Sequence, residues 1–413
     1  MMYWNDSLLR APFFGSILIS MMAAWMGTLL YLQRRTLVGE LVSHASYPGI
    51  VLAILLSSGL APDWAVVLGG IATSWFVLRA LRAMERRKTS TDAALTFLLA
   101  SSFGIGILAV SYLQGTLPRA TLLLQSFLYG QAATLTDSAV RTYALLAGCI
   151  ALCWFAVFPL LRTHLFDRTF AQSVGVPVQR IDRLILLLTL CTIALGIRSV
   201  GVILMTGLLI APPVAARAWT NRLGTLLLLA GGIGALSGLV GLVLSVEGAL
   251  AWKAHMGLAR FTLPTGPVIV LVGSACALVS LLIAPKRGWI ARWFRSRAFR
   301  HKVQEEHLLK ALWKRDPIAP TRAYQRLVRQ GWIAPDGKLT EDGERRAASI
   351  IRLHRLWEVY LTELGVDPHQ VHGSAEEMEH VLTREMEERL TRLLANPKAD
   401  PHDQPIPERG AKR

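Results

Sequence analysis

The sequence predicts an all-α polytopic membrane bundle of eight or nine transmembrane helices, followed by a small, mostly helical domain. Three observations carry that expectation. The 413 residues are 53% hydrophobic and 17% charged, whereas a soluble domain is about 25% charged. The deficit is uneven: the chain is apolar with short charged breaks up to Ala284 and charge-rich from Lys286, a step that reads as a domain boundary. Basic clusters follow apolar runs at Arg34–Arg35, Arg79–Lys88, Arg217–Arg222 and Lys286–Lys302, as in cytoplasmic loops. The net charge of +16 is therefore read as positive-inside flanks before nucleic-acid affinity.

A spanning helix needs about 20 mostly apolar residues. Phe13–Leu32, Val42–Leu60, Trp64–Leu81, Ala93–Leu113, Tyr143–Leu161, Leu223–Val246 and Leu263–Ala284 read as spans. Leu184–Ile197 and Gly201–Val214 are shorter, with Arg198 between them. Counted separately they give nine crossings; as a hairpin or broken helix they leave eight. Placing the basic breaks inside puts the N-terminus outside and the C-terminus inside. Thr121–Gln131 is too short to span and reads as a re-entrant or surface helix. The first run reads as a span and not as a cleaved signal. Pro48–Gly49, Pro212–Pro213 and Gly231–Gly232 lie within spans, where neighbouring helices or a cavity must satisfy the backbone. Cys149, Cys153, Cys191 and Cys276 lie in apolar runs without a CxxC pair, so they read as core residues and not as disulfides or a zinc site.

The expected parts are a membrane domain over 1–285, a basic amphipathic linker over 286–304 and a cytoplasmic domain over 305–413. In the last, Glu305–Trp313 and Thr321–Gln330 read as helices. Gly331–Leu339 reads as a small hairpin around Asp336–Gly337. Thr340–Leu364 is a long helix capped by Thr340. Ser374–Leu394 is another, with Ser374 as N-cap and Glu377 completing a capping box. Asn396–Arg413 is Pro-rich and irregular.

Two constellations carry chemistry. Glu40 and His44 are spaced i, i+4, so both side chains face one side of a membrane helix. A carboxylate with an imidazole is a partial shell for a divalent transition metal, and ionisable groups in a bilayer are costly enough to suggest function. In the charged part, His354 and Glu358 are i, i+4. His372 precedes Glu376, Glu379 and His380, spaced i, i+3, i+4. Two helices presenting acid and imidazole in this way can build a first-row metal site.

The segment Arg35-Thr-Leu-Val-Gly-Glu40-Leu-Val-Ser-His44-Ala-Ser-Tyr-Pro48-Gly49 resembles permeases of the manganese, zinc and iron-chelate ABC importers. Ala171-Gln-Ser-Val-Gly175-Val-Pro-Val and Leu209-Ile-Ala-Pro212-Pro-Val-Ala-Ala-Arg217 agree. The resemblance covers roughly Phe13 to Ala284. It implies a bacterial inner-membrane protein that pairs with a second permease chain. A separate ATPase and an extracellular metal-binding protein are its expected partners. Glu40 and His44 then coordinate the passing metal, with Glu where the family usually has Asp. Ala171, Gly175 and Val176, within the polar loop His164–Arg183, match the short helix that couples to the ATPase. No G-x-x-x-x-G-K-[ST] occurs, so nucleotide is expected to bind a partner.

Leu353-His-Arg-Leu-Trp-Glu358, Val371-His372, Glu376-Glu-Met-Glu379-His380-Val and Pro401-His-Asp-Gln-Pro-Ile-Pro407 resemble the metal-sensing and dimerisation part of the diphtheria-toxin-repressor family. The resemblance implies one site at His354, Glu358 and His372, and another at Glu376, Glu379 and His380, with Glu306 as a further ligand. Glu376 stands where iron-responsive members carry Cys, which favours Mn²⁺, with Zn²⁺ or Fe²⁺ as alternatives. Thr321–Gln330 and Gly331–Leu339 resemble the end of a recognition helix and a wing. The supporting helix before them is missing, so the domain reads as a shortened winged helix with sensor helices, and DNA binding is not expected. The rival reading is a membrane-tethered, metal-dependent transcription regulator. No H-E-x-x-H or serine or carboxylate catalytic pair supports an enzyme.

Overall fold

A computed structural model describes residues 7–57, 62–116, 124, 126–256, 263–319, 321–378, 380 and 384–408. The chain divides into two compact units, Met1–Ala291 and Arg292–Arg413.

The first unit contains α1 (Ser7–Leu32), α2 (Thr36–Leu56), α3 (Asp63–Arg86), α4 (Thr91–Thr116), α5 (Asp137–Phe166), a short α6 (Arg168–Ser173), α7 (Val178–Val200), α8 (Val202–Trp219), α9 (Leu223–Met256) and α10 (Thr265–Ile283). Among the described residues, nine of these helices are long and apolar enough to cross a membrane. In lipid a helix satisfies its own backbone, which is why long apolar runs resolve as single helices. The two short runs are separate crossings, α7 and α8. Arg198, expected between them, lies in the last turn of α7. The break falls at Gly201, whose φ of +96° suits glycine, and a Cβ there would lie 2.4 Å from the Leu128 carbonyl oxygen. Of Thr121–Gln131, residues 121–123 and 125 lie outside the described residues, while 126–129 are helical.

α1 is the central strut, packing along α9, α8, α7 and α5 through buried Ile19, Met22 and Met26. By contrast, α5 presents Leu145, Leu152 and Phe155 outward, as a lipid-facing helix does. Without a hydrophobic drive between helices in lipid, close contact depends on small residues. α2 and α3 illustrate this: a Cβ on Gly49 would sit 2.0 Å from the Gly69 carbonyl oxygen. The Ser46 and Ser74 hydroxyls meet beside that contact at 2.8 Å.

The second unit contains most of α11 (Trp289–Lys314), then α12 (Arg322–Arg329), α13 (Glu341–Glu363), α14 (Pro368–Met378) and α15 (Arg384–Leu393). α11 is continuous where an amphipathic linker and a helix from Glu305 were expected; no proline or glycine interrupts 289–314. Residues 315–319, between α11 and α12, contain no helix. The expected hairpin reduces to an isolated Ile333–Leu339 bridge. Thr340 does cap α13, accepting from the Gly343 amide at 3.2 Å. Ser374, expected as an N-cap, lies inside α14. That helix begins six residues earlier at Pro368, a residue suited to a first turn, and Ser374–Leu394 is not one helix because His380 lies in a turn. Leu309, Leu327, Ile333, Ala347 and Ile350 form the core. Buried Arg352 ties α13 to the chain end, donating to Glu387 (3.2 Å) and the Pro407 carbonyl (2.8 Å).

Candidate metal centres

The clearest donor cluster lies between α13 and α14. Helical spacing puts His354 and Glu358 on one face of α13, with His354 Nε2 3.2 Å from Glu358 Oε1. His372, on α14, brings Nδ1 to 2.7 Å from the same Glu358 oxygen and 3.2 Å from His354 Nε2. His354 and Glu358 are buried, and His372 is exposed. All three ligand atoms lie within 4.8 Å of one another, and among the described residues no other group of three or more His, Cys, Asp or Glu does so. Cis donors around a six-coordinate ion at about 2.1 Å stand about 3 Å apart, so the spacing fits a divalent ion with oxygen and nitrogen ligands.

Burial alone would push the Glu358 carboxyl up, but hydrogen bonds from His354 and His372 outweigh it and hold it at about 2. The carboxylate is thus ionised and ready to ligate. Behind it, buried Lys310 on α11 donates to His354 Nδ1 at 3.2 Å. A cation here repels an incoming ion, and its bond places the imidazole proton on Nε2; ligation through Nε2 requires the other tautomer, with the proton on Nδ1 and the Lys310 bond released.

A second cluster lies between α11 and α14. Buried Glu306 meets His380 Nδ1 through Oε2 at 2.8 Å. Its other oxygen is held by Arg346 at 2.5 Å and approached by Lys302 at 3.9 Å. His380 Nε2 therefore points away from Glu306, and it stands 3.2 Å from His307 Nε2. Glu376 lies 3.9 Å from the opposite nitrogen of His307. The sequence points to Glu306 but gives no signal for His307 beyond its place beside Glu306. With both Glu306 oxygens engaged, His380 Nε2 faces His307, while Glu376 stands at the opposite nitrogen of the His307 ring, so the three do not offer atoms that all lie within 4.8 Å of one another. Glu306 then plays the part of a carboxylate that fixes a histidine tautomer. Glu379 lies outside the described residues.

In the membrane unit, Glu40 and His44 lie on the first turns of α2, inside the helix and not ahead of it, because α2 starts at Thr36. His44 packs edge-on against Phe103 of α4, with centroids 4.9 Å apart. His44 Nδ1 is buried with no hydrogen-bond partner among the described residues. Among the described residues, no third His, Cys, Asp or Glu joins the pair there.

Ala171, Gly175 and Val176 prove to be one structural device. Asp167 caps α6, accepting from the amides of Thr169 (2.8 Å) and Phe170 (3.0 Å). Gly175, at φ +82°, closes it: the Val176 amide donates to Ala171 O and the Gly175 amide to Gln172 O. Ala171 is buried, while Phe166, Phe170 and Val174 are exposed. Asp182 on α7 anchors this corner, holding His164 at 2.9 Å and Arg168 at 2.8 Å.

Profiles of two known families match the two parts of the chain. The profile of the ABC 3 transport family matches residues 5–284. That of the iron dependent repressor, metal binding and dimerisation domain, matches 340–408. A probable metal transport system membrane protein of Chlamydia trachomatis serovar D is 32% identical over 445 residues, spanning 99% of this chain and 98% of that protein. The zinc transport system membrane protein TroC of Treponema pallidum is 34% identical over 299 residues, 72% of this chain and 96% of TroC. The manganese transport system membrane protein MntC of Bacillus subtilis is 30% identical over 301 residues, 73% and 66%. PsaBC from Streptococcus pneumoniae, solved with a Fab, shares the fold, with TM-score 0.59 and 22% identity over 71% of this chain and 96% of that one. The chain is a membrane protein of the ABC 3 metal transport family, carrying a C-terminal domain of the iron-dependent-repressor type.

Proposed function

We propose that the chain is the membrane subunit of an ATP-driven importer of divalent transition-metal ions, with manganese as first cargo and zinc or iron as alternatives. Its C-terminal unit binds the same class of ion on the cytoplasmic side and restrains uptake when that ion is plentiful. The observation that carries this reading is the pairing in one chain of a two-donor membrane site, Glu40 and His44, with the three-donor cluster His354, Glu358 and His372. Relatives named for manganese and zinc support the cargo class. An all-oxygen-and-nitrogen donor set suits manganese better than a thiolate set would.

Two donors do not complete a transition-metal shell, so a second permease chain is proposed to face Glu40 and His44 across the pathway. An extracellular binding protein delivers the ion. The exposed Phe170 and Val174 of α6 and its turn are the proposed seat of the ATPase, which supplies the nucleotide chemistry this chain lacks. Two soluble centres are assigned. His354, Glu358 and His372 ligate in one; Glu376, Glu379 and His380 ligate in the other, with His307 beside them and Glu306 orienting His380.

The test is radioactive manganese uptake in cells carrying Glu40→Ala or His44→Ala at matched membrane levels. Uptake falls to background if the pair lines the pathway; uptake at the parent rate removes it. For the restraint, Glu376→Ala with His380→Ala should leave uptake uninhibited in manganese-loaded cells, and unchanged inhibition would refute that role.

A further inference from the structure

One cavity in the membrane unit is lined by neither Glu40 nor His44. It measures about 630 Å³ and opens where α1 and α3 end and α2 and α7 begin. Its lining includes five guanidinium side chains, Arg35, Arg79, Arg82, Arg168 and Arg183, against two carboxylates, Asp182 and Glu85. Asp182 is spent: His164 and Arg168 occupy its two oxygens. Glu85 accepts from the Thr91 hydroxyl at 3.4 Å. Among the described residues, Arg35, Arg82 and Arg183 pair with no carboxylate. Several positive charges converging on one hollow repel one another unless an anion fills it.

The walls say which kind of anion. Leu30, Val38 and Leu186 make an apolar floor. Trp75 also lines the hollow, about half exposed, with the Arg79 guanidinium 4.6 Å above its ring. Phe76, next to it, is 70% exposed, an exposed aromatic of the kind a bilayer-facing rim carries. An amphipathic tryptophan under a cation marks the headgroup level, and a basic pocket between helix ends there matches a phospholipid headgroup. A soluble phosphate would use the arginines and leave the apolar floor and lipid-facing rim without a role. From this we infer that the cavity binds the phosphate of an anionic phospholipid, whose acyl chains lie along α3. The headgroup bridges Arg35 of the turn before α2, Arg79 and Arg82 of α3, and Arg183 of α7. It thereby ties the helix bearing Glu40 and His44 to the helix that follows α6.

The test uses the purified full chain in neutral detergent. Thermal unfolding is followed while phosphatidylglycerol, phosphatidylcholine or sodium phosphate is added. Phosphatidylglycerol should raise the midpoint; phosphatidylcholine and millimolar phosphate should not. Arg79→Gln with Arg82→Gln should weaken the phosphatidylglycerol response about thirtyfold in concentration, from two lost arginine contacts. Arg162→Gln with Arg222→Gln removes equal charge from a separate hollow at neighbouring helix ends and should leave the response intact. Equal weakening by both pairs would mean diffuse attraction and overturn the site. Equal responses to the two lipids overturn it too, and a response to phosphate alone overturns the lipid assignment. Should the first pair fail to fold, Arg35→Gln with Arg183→Gln carries the same expectation.

Discussion

Glu40 and His44 offer two donors on one helix, with no third among the described residues, and His44 keeps a buried, unpartnered nitrogen. His354, Glu358 and His372 offer three donors from two helices, already in contact and with the carboxylate ionised. On the proposed function, the difference follows from what each must do. A passing ion has to bind well enough to enter and loosely enough to leave, so an unfinished shell serves it. An ion that reports its own concentration has to stay, so its shell is assembled in advance.

Four changes would break or sharpen that contrast, beginning with the largest effect. Glu358→Ala should abolish binding at its centre, lowering the metal content of the purified full chain by one ion as measured by mass spectrometry. Uptake by metal-starved cells should be unaffected, and a loss there would erase the division of labour. Glu306→Gln should keep the ligands of the second centre but free the orientation of His380, weakening affinity about 10- to 100-fold in competition with a chelator. Lys310→Met should tighten binding at the first centre severalfold by removing a repelled charge, and weaker binding would show that Lys310 instead holds His354 in place. The smallest effect concerns acid. Because the Glu358 carboxyl is held at about 2, below its usual 4.5, the stabilisation it brings to the ion-free protein is full above pH 4.5. That stabilisation is lost as pH falls towards 2. The gap in unfolding midpoint between the parent and Glu358→Gln should therefore narrow below pH 4.5; a gap constant down to pH 3 would contradict the assignment.

The bundle was largely legible in the sequence, because a bilayer demands long apolar helices and a run of residues such as Leu223–Val246 has no alternative. Helix ends were less so. A charge such as Arg198 suggests a break in a membrane run, but a helix end tolerates it, and the chain turns at Gly201, where backbone approach requires glycine. In the soluble unit, Thr340 was legible as a cap because capping is local. The start of α14 was not: Ser374 and Glu377 imitate a capping box inside a helix that Pro368 had already begun. The donors at i, i+4 were legible for the same local reason. His307 and Lys310 were not, since which face of α11 meets α13 and α14 is decided by packing across some seventy residues of chain.

The contact of Gly49 with Gly69 bears on how the pathway can move. Where two backbones touch, no layer of side chains remains to act as a bearing, and the Ser46–Ser74 hydrogen bond pins the pair in register. α2 and α3 are therefore a single lever. If Glu40 and His44 line the path as proposed, a stroke that opens or closes it swings both helices together, and a bulkier residue at position 49 would pry the lever apart without touching either side chain.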